Sequence, residues 1–264
     1  MITSKDNEQI KELRKLQDKR QRAKLGRFAA EGEDLVAAAL AAGWEPEAIF
    51  VVEGAPAALS EHAAALAVQA ELLDSASALG SGSRVIAVFE YAAAPEVAPA
   101  RTLALHLDGV SDPGNVGTLI RSASAFCDGP VSLGAGCADA YSPKALRAAM
   151  GSTFARPPID GLTRPDGAKI VALDADGDID IRDYEPRGPV VLVAGGERAG
   201  LSELKLLEAD VVARIAMRPD GPESLNVAMA ATIALHELGS KLQTTVHAAA
   251  ARAAVGGNIP PDEN

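Results

Sequence analysis

Cysteine is scarce in this chain: Cys127 and Cys137 are the only two, no Cys-x-x-Cys occurs, and no histidine stands at metal-ligand spacing beside them. Both are read as reduced, partly buried thiols, and no metal site is expected. Long apolar runs are missing as well. No stretch reaches the roughly eighteen uncharged apolar residues of a membrane span, and the opening MITSKDNEQIKELRK has no apolar core to serve as a secretory signal. A cytoplasmic protein with no membrane partner is the expectation. The nucleotide fingerprints are also lacking. Gly195-Gly196-x-x-x-Gly200 is not the G-x-G-x-x-G of a dinucleotide fold, Gly114-x-x-Gly117 is too short, and no Gly-Lys-Ser/Thr phosphate loop occurs. No G-x-S-x-G elbow is present, and neither His106 nor His236 has a serine partner at a recognisable spacing.

What is present is enough apolar material for a sizeable core, 48% of 264 residues. The net charge of −11 argues against nucleic acid on its face. Its distribution argues otherwise. Residues 1–27 hold nine basic side chains against four acidic ones, a net of +5, which leaves the other 237 residues at −16. On one continuous helix, Lys11, Lys15, Lys19 and Arg22 would share a sector of roughly 80°, with Ile10, Leu13 and Leu16 pointing elsewhere. Together with Arg27, this basic arm on an acidic body is the candidate contact for a polyanion. A solvated amphipathic helix would show the same pattern.

Along the chain, residues 31–91 alternate helical and extended segments: EGEDLVAAALAAG as a helix, AIFVVEG as a strand, LSEHAAALA as a helix, SASALGSGS as a helix or turn, and RVIAVFEY as a strand. This predicts a small α/β unit over 1–91. Residues 92–100, AAAPEVAPA, read as a linker. The pattern then restarts with LALHLD as a strand and a helix opened by Asp112 as N-cap and Pro113 as first helical residue. Strands PVSLG, AKIVALDA, PVVLVAGG and VVARIAM alternate with helices SPKALRAAM, SELKLLEA and SLNVAMAATIALHELGSKL, AKIVALDA and PVVLVAGG following one another directly. Strands separated by helices imply a mostly parallel, covered sheet over 101–243. Residues 244–264 read as a frayed helix and disordered tail.

Three segments of this second unit, Asn115–Arg121, Gly195–Leu201 and Ser224–Val227, stand where strands give way to turns and helices. Gly195, Gly196 and Gly200 let backbone approach a ligand. Asn115, Arg121, Glu197, Ser224 and Asn226 supply donors, acceptors and one cation, while Ile215, Met217 and Leu225 offer walls to a flat base. Such a pocket suits an adenosine-bearing cofactor. Each segment taken singly also has a structural reading, Ser224 as a helix cap included.

LDGVSDPGNVGTLIRSASAF, VVLVAGGERAGLS and IAMRPDGPESLNVAMAATIALHE resemble, in order and separation, the three signature motifs of the SpoU/TrmH ribose 2'-O-methyltransferases of the SPOUT superfamily. The N-terminal part, FAAEG at 28–32 included, is similar to the RNA-binding module that precedes this catalytic domain in many ribosomal RNA methyltransferases. The resemblance implies a deep trefoil knot and an S-adenosylmethionine pocket. Backbone at Gly195, Ile215 and Leu225 would hold the cofactor, with Gly196, Gly200 and Asn226 close by. It also implies a catalytic role for Arg121, accompanied by Asn115, Glu197, Ser224 and Asn226, and a homodimer that brings Arg121 near the partner's cofactor. Two departures bear on loop geometry: residues 216–223 run one position longer than usual, and Arg198 stands where glycine is common.

The expectation is an α/β protein with an RNA-binding unit before a knotted methyltransferase, acting on ribosomal RNA. Transfer RNA, and a non-catalytic RNA-binding or ribosome-assembly role on the same fold, are the alternatives. A small-molecule enzyme is disfavoured by the basic arm.

Overall fold

The computed structural model describes residues 1–80, 82–94, 102–197 and 200–256. The basic N-terminal arm forms two helices rather than one, α1 (Glu8–Lys15) and α2 (Lys19–Leu25). Asp18 causes the break: its carboxylate accepts the Gln21 amide at 3.0 Å and caps α2, a better use of an aspartate than a helix interior. The turn also lets Leu16 join Ile10 and Leu13 in the core. Gly26, at φ +68°, ends α2 in the left-handed region.

The first sheet is built from β1 (Arg27–Glu31), β2 (Pro46–Val51), β3 (Ala65–Ala67) and β4 (Val85–Glu90), interleaved with α3 (Glu33–Ala41), α4 (Ala57–Ser60) and α5 (Ala70–Asp74). Its order is β1-β4-β2-β3, antiparallel except for the β2–β3 pair. LSEHAAALA is not one helix: its first residues close α4 and its last form the edge strand β3, where Ala65–Ala67 pair with Ile49–Val51. Alanine favours helix locally, but the open edge of β2 decides. β1, which carries FAAEG, is a strand that alanine-rich composition concealed; Phe28 and Ala30 point into the core.

The second sheet is all parallel and seven-stranded: β5 (Leu103–Asp108), β6 (Val131–Leu133), β7 (Ile159–Asp160), β8 (Lys169–Leu173), β9 (Ile179–Asp180), β10 (Val190–Gly195) and β11 (Val211–Arg214), in the order β7-β6-β5-β10-β8-β11-β9. β10 is buried along its whole length, as a central parallel strand should be. One face packs against α6 (Pro113–Phe126) and α10 (Val227–Gly256), the other against α9 (Glu203–Glu208). Helix α10 continues to Gly256, beyond residue 243; residues 257–264, positions 95–100 of the expected linker and residue 101 lie outside the described residues.

The two sheets share packing. Leu146 of α7 (Pro143–Ala149) and Phe154 of α8 (Ser152–Ala155) sit in the same apolar cluster as Phe28, Trp44 and Phe89. Trp44 Nε1 donates to the Phe154 carbonyl at 3.0 Å.

Candidate active site

The C-terminal ends of parallel strands face the crevice where α/β folds bind ligands, and the three segments singled out in the sequence converge there. After β5 the chain passes through Gly109 and Ser111 to Asp112, whose Oδ1 accepts the Asn115 amide at 3.0 Å and caps α6, with Pro113 at the first helical position. The other oxygen takes the Lys144 ammonium at 2.6 Å, which holds the Asp112 carboxyl below its ordinary value.

Glu197 follows β10 and joins this loop. Its carboxylate accepts four hydrogen bonds: from the Ser111 amide, the Ser111 hydroxyl and the Asp112 amide, each at 3.2 Å, and from Asn115 Nδ2 at 2.9 Å. Partial burial alone would raise its pKa; the Asn115 donor and the backbone amides outweigh that and push it down to about 2. Asn115 Oδ1 in turn accepts from Asn226 Nδ2 at 3.2 Å. Asn226 Oδ1 accepts the Ala228 and Met229 amides at 2.9 and 3.3 Å, capping α10. One hydrogen-bonded chain, Glu197 to Asn115 to Asn226, therefore ties the three segments together. The cap is Asn226, not Ser224.

Beside this chain lies a cleft of about 340 Å3 lined by Gly195, Gly196, Gly200, Ile215, Met217, Ser224 and Leu225. Two of its glycines have no room for side chains. A β-carbon on Gly195 would collide with Gly200, and one on Gly196 with the Gly109 carbonyl, while Gly200 itself sits at φ +61°. The longer loop folds on itself: Arg218 forks onto Asp220 at 3.1 and 3.2 Å, and the Gly221 amide donates to the Arg218 carbonyl at 2.9 Å. Met217 and Leu225 thereby still reach the cleft. Asp174 and Asp176, which sequence reading missed, line the cleft as well. They follow β8, the neighbour of β10, and only the strand order could have drawn attention to them.

Arg121 stands exposed on α6, its guanidinium unpaired among the described residues. Ser122, next to it, shares a 2.7 Å hydrogen bond with Thr232 that fastens α6 to α10. Arg121 and Ser224 are not joined to the Glu197 chain by any hydrogen bond among the described residues, and Arg198 lies outside them.

The basic arm needs revision. Lys15 and Lys19 are exposed, and Lys11 pairs with Glu8 at 3.0 Å. Arg22 is not on the surface at all: at 3% exposure it forks onto Asp139 at 2.8 and 2.7 Å and donates to the Leu16 and Gln17 carbonyls. Arg27 is held by Glu12, Glu47 and Glu90. Both arginines are committed to carboxylates of the protein itself, contacts that a fork of several donors suits. Arg20 and Lys24, not singled out in the sequence, are exposed.

The remaining reactive side chains stand away from the cleft. His106 is buried beside Ser132 at 2.9 Å, and burial pushes its pKa down. Burial pushes the Cys127 thiol up to about 12 and raises that of Cys137. Among the described residues no helix is long and apolar enough to cross a membrane.

Comparison with known proteins agrees with this geometry. The sequence model of the SpoU rRNA Methylase family matches residues 102–236, and that of the MRM3-like substrate binding domain matches residues 7–87. The chain is 31% identical over 249 residues to the 23S rRNA (guanosine(2553)-2'-O)-methyltransferase RlmP of Bacillus subtilis (strain 168), covering 90% of this chain and 98% of that protein. The SpoU methyltransferase AviRb of Streptomyces viridochromogenes, solved with AdoMet, superposes with a TM-score of 0.79 at 25% identity, covering 89% of this chain and 98% of AviRb. The AdoMet-bound rRNA methyltransferase of Sinorhizobium meliloti superposes with a TM-score of 0.79 at 31% identity, over 91% of this chain and 97% of that one.

Proposed function

The chain belongs to the SpoU rRNA methylase family and is an RNA methyltransferase that uses S-adenosylmethionine; we propose that it methylates a ribose 2'-hydroxyl of 23S ribosomal RNA. The observation that carries this is the Glu197–Asn115–Asn226 chain beside a glycine-walled cleft. The residues present fit the cofactor: small enough at Gly195, Gly196 and Gly200 to admit it against backbone, apolar at Ile215, Met217 and Leu225 to receive its base. When bound, it supplies an electrophilic methyl group. The protein supplies alignment, because transfer to a hydroxyl requires donor and acceptor held in line.

Glu197 is not the base in this reading. Its oxygens are filled by four donors, so it fixes Asn115 and the Ser111–Asp112 turn. Arg121 is the residue assigned to the RNA. A guanidinium is a cation with five donors and no acceptor, suited to hold a phosphate or polarise the 2'-oxygen. Ser224 and Asn226 complete the set on the α10 side. Methyl transfer from a sulfonium calls for no metal.

The reading extends to organisation. Residues 1–91 would bind RNA and residues 101–243 would form the knotted catalytic domain, a division supported by the two family matches. A homodimer through that domain is supported by Met229 and Ile233, apolar side chains one turn apart that α10 leaves exposed. The cytoplasm is the compartment that a ribosomal substrate implies.

The test is transfer of labelled methyl to 23S transcripts, with ribose-methylation mapping of ribosomal and transfer RNA from cells lacking the protein. Arg121→Ala should abolish transfer while cofactor affinity stays within about tenfold, near 1.4 kcal/mol. Substantial residual transfer would remove Arg121 from its role, and a lost modification confined to transfer RNA would move the substrate.

A further inference from the structure

One polar wall of the cleft is not accounted for by the three motif segments. Asp174 follows the last residue of β8, and its amide donates to the Ala213 carbonyl of β11 at 2.9 Å, which pins its backbone at the strand end. Oδ1 accepts the Asp176 amide at 3.0 Å. Asp174 Oδ2 is turned instead across the cleft: it is the nearest atom, at 3.6 Å, to the point where a β-carbon on Gly200 would lie. The side chain is half-buried, and among the described residues no lysine or arginine pairs with it. A carboxylate is thus anchored through one oxygen and presented to the ligand space through the other, opposite a residue without a side chain.

The cofactor reading of the cleft, on which any role for Asp174 rests, offers four groups to such a carboxylate: the adenine 6-amino group, the ribose hydroxyls, the α-ammonium and the sulfonium. Position selects the ribose hydroxyls. Asp174 shares the cleft with Gly195, Gly196 and Gly200 and the apolar Ile215 and Leu225 walls, the surroundings assigned to the adenosine end. In doubly wound nucleotide-binding sheets, too, a glycine-rich turn after one strand works with an acidic residue that accepts from the ribose diol. Here the acidic residue comes from β8, which neighbours β10 in the sheet but precedes it in the chain, so no spacing rule finds it.

We propose that Asp174 is a cofactor-binding residue whose Oδ2 accepts hydrogen bonds from the ribose hydroxyls of the adenosine moiety. The experiment is calorimetric binding of S-adenosylhomocysteine and 5'-methylthioadenosine, which share adenosine but not the amino-acid end, to the wild type, Asp174→Ala and Asp174→Asn. Both compounds should lose affinity in Asp174→Ala by the same factor, about ten- to a hundredfold for hydrogen bonds to a charged group, with Asp174→Asn between. The 2'-deoxy form of 5'-methylthioadenosine should bind the wild type more weakly than its parent and Asp174→Ala no more weakly, a difference that a purely structural role would not produce. Loss confined to S-adenosylhomocysteine would place the carboxylate at the ammonium and overturn the inference. Unchanged affinity for both would overturn it too, leaving the cofactor reading intact. A wild type that bound neither compound would overturn that reading and this inference together.

Discussion

Glu197 shows what a single side chain contributes here. An ionised carboxylate has about four acceptor positions, and the Ser111 amide and hydroxyl, the Asp112 amide and Asn115 occupy them. With its pKa down at about 2, the group keeps one charge across the whole working range. Glu197→Gln, which turns one acceptor into a donor facing amides, should therefore lower kcat/KM for RNA by about ten- to a hundredfold without altering the shape of the pH–rate profile between about pH 5 and 9. Disappearance of an acidic limb in the variant would identify Glu197 as a titrating base instead. Stability follows the same sign. A carboxyl depressed from its ordinary 4.5 contributes above that pH and loses its contribution as pH falls toward about 2, so the denaturation midpoints of variant and wild type should converge below about pH 4.5. The sequence made the identities of Glu197, Asn115 and Asn226 legible, because all three lie in recognisable segments. Their roles were not legible, because the partners of each are brought in by other strands.

At the scale of elements, the N-terminal arm is basic, as its composition predicts, but it is two helices and not one. Periodicity alone put Lys11, Lys15, Lys19 and Arg22 on one face; Asp18 restarts the helix at Lys19 and turns Arg22 inward onto Asp139. The exposed cations of α1 and α2 available to a phosphate backbone are then Lys15, Lys19, Arg20 and Lys24. Neutralising these four should weaken RNA binding and flatten the dependence of log Kd on log salt by roughly 0.7 to 0.9 for each phosphate no longer neutralised. Arg22→Met should leave that slope unchanged and lower the denaturation midpoint instead, since removing one member of a buried pair costs about 3–5 kcal/mol. An unchanged slope in the four-site variant would reduce the arm to solvated surface. A slope that falls with Arg22→Met would put Arg22 at the RNA after all.

Across the whole molecule, the decisive feature is where the few aromatic residues went. The chain has one Trp, three Tyr and five Phe, and Phe28, Trp44, Phe89, Tyr91, Tyr141 and Phe154 meet where the two sheets adjoin. Sequence patterning marks where the strand and helix alternation restarts, near residues 92–100, but a restart of pattern does not end the packing. The ring contacts between Trp44 and Phe154, with centroids 5.7 Å apart, join positions that no local pattern relates. Residues 1–91 without Leu146 and Phe154 would leave Trp44, Phe28 and Phe89 short of partners, which predicts that the two sheets fold together. Trp44, the only tryptophan, reports this directly. Its fluorescence and the far-UV circular dichroism should follow one coincident denaturant transition. Phe154→Ala should shift both curves together by about 3–5 kcal/mol and red-shift Trp44 emission from a site more than a hundred residues away. If Trp44 fluorescence completed its change while half of the dichroism signal remained, the sheets would be independent folding units, and the shared aromatic cluster would be a contact surface between them rather than a common core.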